Sequence, residues 1–220
     1  MIEEIVESAK ESRKRHDEYY KTHGKRSLVG LIGSPGSGKS TQAKALAERI
    51  SKYSKVHHIN IGQILRESGD KEILKIMNSG ELIPDEVVFR VLSAKLKEVG
   101  DGFIVLDGFF RRKNEAEWLI KNQKVLDVDI EAVVDIKLSD DLAAERLQKR
   151  GRADDESEDI KVRLEVFKAN EAEVLAALKN NKIWVLEVDG APSVEEISKN
   201  IYGQLAEWVN IPGANEELGW

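Results

Sequence analysis

Residues 33 to 41 read GSPGSGKST, which brings three glycines, a lysine and four hydroxyls into one short stretch. From Gly33 to Ser40 it fits the pattern G-x-x-x-x-G-K-[ST], with an apolar run before it and helical spacing after it. Glycines let backbone N–H groups turn inward around an anion, and the helix start adds partial positive charge. Lys39 reaches terminal phosphates, and Ser40 offers a hydroxyl to Mg²⁺. The alternative is a glycine-rich turn with a lysine at a helix start, and the flanking strand and helix speak against it. The stretch is therefore expected to hold the β and γ phosphates of a nucleoside triphosphate.

A second phosphorylated substrate would need its own cations, because phosphoryl transfer relies on positioning and on neutralising charge spread over the transferred group. Candidates stand near the ends of apolar runs: Arg66 in NIGQILRES, Arg111 in LDGFFRR, and Arg146, Arg150, Arg152 and Arg163 in AAERLQKRGRADDESEDIKVRLEVF. Any one of them alone reads as a solvated or ion-paired arginine. Their spacing as a set is what suggests a site.

These residues must be held by a scaffold, and the chain spells one out. Five short apolar runs rich in β-branched residues, 27–32, 55–61, 102–108, 130–138 and 182–190, read as buried strands. Charged stretches with helical spacing separate them, such as STQAKALAERISKY and DEVVFRVLSAKLKEV. Alternation of this kind predicts an α/β fold: a parallel sheet covered by helices on both faces, with ligands at the carboxyl ends of the strands. The 220 residues suit one such domain. Residues 1–26 read as a charged helical extension and residues 210–220 as a loose tail.

Composition narrows the function. There is no cysteine, which excludes disulfides, thiolate chemistry and cysteine zinc sites and fits a cytoplasmic location. No apolar run approaches the roughly 18 residues needed to cross a bilayer, and the N-terminus lacks the apolar core of a signal peptide, so no membrane association is expected. The net charge of −6 has the wrong sign for a nucleic-acid binder.

Taken in order, GSPGSGKST, NIGQILRES, SGELIPDEVV, GFIVLDGFFRRKNEAEWL, RGRADDESEDIKVRLEVF and VDGAPSVEEI resemble the adenylate kinase family of nucleoside monophosphate kinases over roughly residues 27–208. The resemblance implies a five-stranded parallel sheet, a helical acceptor-binding insert near 60–89 and a short lid near 149–157 within a kinase domain of 27–209. It also implies ATP as donor, Mg²⁺ as cofactor, small-molecule nucleotides as partners and a monomer. By position, Gly36, Ser37, Gly38, Lys39, Ser40 and Thr41 fall on the triphosphate loop, and Arg146 falls against the donor base. Ile61, Gly62, Arg66, Gly108, Arg111 and Glu115 fall on the acceptor site. Asp107 matches the carboxylate that orients Mg²⁺ through water, and Arg150, Arg152 and Arg163 match cations around the transferring phosphate, with Asp154 and Asp155 holding the lid.

AMP is the first acceptor this implies, in the reaction ATP + AMP = 2 ADP. GMP, CMP, UMP or another small-molecule acceptor stays open, as does nucleotide binding without turnover. Some positions depart from the family pattern. Ile61 and Gln63 replace a small or hydroxyl residue and an acid, which should alter the acceptor pocket. Phe110 replaces a proline and should affect the local turn. Glu115 stands where a base-reading glutamine is usual. Ionised, it can only accept, so it either faces the base, where Glu115→Gln would raise preference for AMP, or turns outward to Arg112 or Lys113.

Overall fold

The computed structural model describes residues 26–151, 157–209 and 211–214, without the side chains of 157–159. Arg152, Asp154, Asp155, most of the N-terminal extension and the last residues of the tail lie outside the described residues.

Five strands form one parallel sheet in the order β2-β3-β1-β4-β5: β1 Arg26–Gly33, β2 Val56–Asn60, β3 Phe103–Asp107, β4 Val128–Lys137 and β5 Trp184–Asp189. The helices are α1 Lys39–Ile50, α2 Ile61–Glu67, α3 Lys71–Asn78, α4 Asp85–Glu98, α5 Lys113–Leu126, α6 Asp140–Arg150, α7 Ser157–Asn180 and α8 Val194–Trp208. Side chains alternate across the sheet, as a two-residue period requires. Leu28 and Ile32 of β1, with Ile104 and Leu106 of β3, join the layer that contains α2 to α5 and α7. Val29, Leu31, Phe103 and Val105 face α1 and α8. A small separate cluster, Ala143 and Leu147 against Ile160 and Leu164, joins α6 to α7. Lys137 binds buried Asp135 and Glu171 at 2.6 Å each, which fastens α7 to β4.

Two ends of the chain differ from the sequence expectation. Ile211 and Ala214 are buried in the layer with α8, because their apolar surface finds cover there, so the 210–220 segment is not wholly a solvated tail. Arg26 opens β1 instead of closing the extension, and it is only 8% exposed. Its guanidinium donates to Leu96 O at 2.7 Å, Val99 O at 3.0 Å, Leu126 O at 2.6 Å and Asp127 O at 3.1 Å. One planar cation thus satisfies carbonyls at the C-termini of α4 and α5, groups a helix cannot bond internally. Lysine cannot reproduce that fork. Arg26→Lys is therefore expected to cost roughly 1–3 kcal/mol, since buried carbonyls lose partners. A thermal melt reads this as about 2–4 °C per kcal/mol at this chain length, with activity at room temperature retained.

Candidate active site

At the carboxyl ends of β1 and β3 the sequence turns from apolar to glycine-rich, and the chain bends around an open space. After Gly33 the backbone turns through a Ser37 N–H to Ser34 O bond of 3.1 Å and enters α1 at Gly38, the left-handed N-cap with φ 91°. Gly36, with φ 84°, could carry no side chain at all, because a Cβ would stand 2.5 Å from Ala143 O. The residue type is thus dictated by both conformation and room. Ser37 is fully buried, and its Oγ has no hydrogen-bond partner among the described residues. Ser40 and Thr41 are exposed at the start of α1.

Lys39 lies across the loop, its Nζ donating to Ser34 O at 3.2 Å. Loss of hydration on burial pulls its pKa down to about 8. The Asp107 charge works against that shift, and Arg111, Arg163 and Arg150 add to it. A lysine surrounded by three arginines is a site arranged for polyanions.

Two clefts meet at Lys39. One is lined by Lys39, Arg66, Arg111 and Arg163 together with apolar Met77, Phe109, Phe110 and Phe167. Arg66 and Arg111 converge within it, since a Cβ built on Gly62 would sit 3.4 Å from Arg66 Nη1 and 3.6 Å from Arg111 Nη2. Gly108, at φ 77°, keeps the β3 exit close to Gly62, where a Cβ would meet Gly62 N at 3.2 Å. Arg112 bonds Asp85 at 2.8 Å and the Ile83 carbonyl at 2.8 Å, which anchors the wall leading into α4. The other cleft is lined by Gly36 to Gln42, Arg146, Arg150 and Pro192 to Val194. Arg146 donates to Gly190 O at 2.8 Å and Ala191 O at 3.1 Å, so its edge is held and its plane is fixed.

Several departures take on a definite form. Ile61 packs in the core and Gln63 bonds Glu67 at 2.7 Å on the surface. Phe110 adopts φ 60°, a strained conformation for a bulky residue. Its ring occupies the space above Gly30, where a Cβ would lie 2.4 Å from Cε2, and it meets Phe109 edge to face at 5.2 Å.

Glu115 does not turn outward. Arg112 is taken by Asp85, and Lys113 pairs with Glu117 at 3.6 Å. Glu115 is instead 2% exposed, and its Oε2 accepts the Arg111 N–H at 2.6 Å. Burial pushes its carboxyl up, while the Arg111 N–H and the neighbouring arginines oppose the shift. Sequence reading also missed Asn60. It caps α2 by accepting Gln63 N–H at 2.8 Å and donates to Asp107 Oδ2 at 2.5 Å. The signal for it was an asparagine between a strand and a helix start. Asp107 is buried, and its Oδ1 has no hydrogen-bond partner among the described residues. Among those residues no cluster of three metal-ligating side chains occurs, and no helix is long and apolar enough to cross a membrane.

The family model described as adenylate kinase matches residues 31–183. An adenylate kinase of Corynebacterium urealyticum is 34% identical over 178 residues, covering 77% of this chain and 93% of the relative. One of Synechococcus is 36% identical over 179 residues, covering 78% and 94%. One of Helicobacter pylori is 31% identical over 190 residues, covering 83% and 96%.

Proposed function

Because the chain belongs to the adenylate kinase family and transfers the γ-phosphate of ATP to AMP to form two ADP, we propose that the two clefts meeting at Lys39 are its donor and acceptor sites. The observation that carries this assignment is the convergence of Lys39, Arg66, Arg111 and Arg163 on one cleft. Four cations beside an apolar wall suit the phosphate and base of a monophosphate. Gly36 to Thr41 and the plane of Arg146 suit the triphosphate and base of the donor.

In the reaction an oxygen of the AMP phosphate attacks the γ-phosphorus as the bond to the β–γ bridging oxygen breaks, and ADP leaves on each side. Arg66 and Arg111 hold the acceptor phosphate in line. Lys39, Arg150 and Arg163 neutralise charge on the transferred group, a task that costs no reorganisation when the cations are already in place. Arg152, which lies outside the described residues, is assigned from its match to the family pattern as a further cation for the transferred phosphate, and the short lid it belongs to as the part that keeps water from taking the phosphate. The residues present fit a magnesium ion: Ser40 is exposed at the start of α1, and Asp107 Oδ1 is buried without a hydrogen-bond partner among the described residues, so these two would hold it, Asp107 through water. Bound there, the ion supplies Lewis-acid stabilisation of the phosphate oxygens. The insert 60–89 serves the acceptor, and the protein works as a cytoplasmic monomer.

Glu115 is placed here as the group that fixes the Arg111 backbone, in preference to a reader of the base, because its carboxylate is committed to that N–H and lies outside the cleft lining. The test is kcat/KM for AMP, GMP and CMP with ATP and Mg²⁺, in wild type and Glu115→Gln. Wild type should favour AMP. The variant, whose amide oxygen still accepts the N–H, should leave the ranking within about twofold, against the tenfold or more that a changed base contact brings. A tenfold gain in AMP preference would return Glu115 to the base, and absence of ADP formation with every monophosphate would remove the reading itself.

A further inference from the structure

We infer that Asn60 is a positioning residue whose single side-chain amide joins the carboxylate beside the donor phosphates to the helix that carries Arg66. The inference rests on the reading of the two clefts above. Asn60 ends β2 and Asp107 ends β3, and the parallel register sets the two residues directly opposite each other. The amide is then used at both ends. Nδ2 donates to Asp107 Oδ2 at 2.5 Å, and Oδ1 accepts the Gln63 N–H at 2.8 Å. Its orientation is chemically forced, because an ionised carboxylate cannot donate and a backbone N–H cannot accept.

Each bond does a separate task. The bond to Gln63 fixes the first turn of α2, whose Arg66 Nη1 returns to Gly62 O at 3.1 Å and whose start abuts Gly108. The bond to Asp107 occupies one carboxylate oxygen and so leaves Oδ1, buried and without a hydrogen-bond partner among the described residues, as the one available for water-mediated metal binding. A shift of α2 as AMP binds would therefore pull on Asp107 through two short bonds. Acceptor occupancy and orientation of the metal-side carboxylate become linked through one residue.

The design of the test follows from what aspartate and alanine each keep. Asn60→Asp preserves shape and the helix cap, since aspartate caps as well as asparagine, but it sets an acceptor against Asp107. Asn60→Ala removes both bonds. With ATP and AMP saturating, Asn60→Asp is expected to lower kcat about 10- to 100-fold, the effect of losing a hydrogen bond to a charged group, and to raise the Mg²⁺ concentration giving half-maximal rate.

Calorimetry of the metal-free protein gives the second readout. Asn60→Ala should bind AMP about three- to tenfold more weakly than wild type, in line with loss of a helix cap, and the loss in Asn60→Asp should be smaller. Thermal melts of both variants establish that they are folded. If Asn60 were only a helix cap, Asn60→Asp would turn over like wild type with the wild-type Mg²⁺ dependence, and that result overturns the inference. Unchanged AMP affinity in Asn60→Ala overturns it equally. Wild type assayed alongside keeps the two levels apart: no ADP from wild type removes the reading of the clefts, while active wild type beside an Asn60→Asp that turns over equally well removes only the role of Asn60.

Discussion

Lys39→Ala is expected to abolish turnover while leaving the fold intact. Its ammonium lies over the loop, held by Ser34 O and surrounded by Arg111, Arg163 and Arg150. That arrangement is electrostatically unfavourable until an anion arrives, and the lowered pKa of about 8 reflects it, burial being the larger cause. Removing one preorganised stabiliser of developing charge costs about a hundredfold or more in rate. Alanine is the best helix former and stands at the first residue of α1, so the backbone tolerates it. The thermal midpoint should hold or rise slightly, because a cation crowded by cations no longer has to be buried. ADP formation and a melt measured on the same preparation check both halves. An alanine variant that kept a tenth of wild-type activity would show that the loop is not the catalytic triphosphate site.

Arg111→Ala is expected to raise the KM for AMP by about 100-fold, because a guanidinium forms paired charge-assisted bonds to phosphate, each worth roughly 1.5–3 kcal/mol. ATP affinity, measured by calorimetry, should change much less. Arg66→Ala should behave alike, since both guanidiniums point at the same place beside Gly62. Arg111→Lys should recover only part of the loss, as a point charge cannot bind in a fork. The substitution leaves the Arg111 N–H and its bond to Glu115 untouched, so the turn after Phe110 survives. An equal loss of ATP affinity in both alanine variants would contradict the division into donor and acceptor clefts.

Much of this was legible along the chain. The loop from Gly33 to Ser40 is contiguous, so residue type and spacing suffice to define it. The five strands lie within two residues of where the apolar runs fall, because a strand buried on both faces must be apolar throughout. Arg66 and Arg111 could be singled out, but that they converge is a consequence of topology: β2 pairs with β3, Arg66 stands in the last turn of the helix that follows β2, and Arg111 stands in the loop that follows β3.

Other contacts had no local signature. Glu115 had three candidate partners in sequence and took a fourth, the Arg111 N–H, because Asp85 had claimed Arg112 from a different helix. Arg26 looked like the polar end of an extension and instead satisfies carbonyls at two helix termini some 70 and 100 positions away in sequence. Asn60 faces Asp107 only because their strands are neighbours in register. Periods of two and 3.6 residues act over one turn or one strand, so a sequence specifies elements and contiguous motifs by itself. Which side chain meets which across the sheet depends on strand order and packing, and a buried polar group takes whatever partner that arrangement brings within reach.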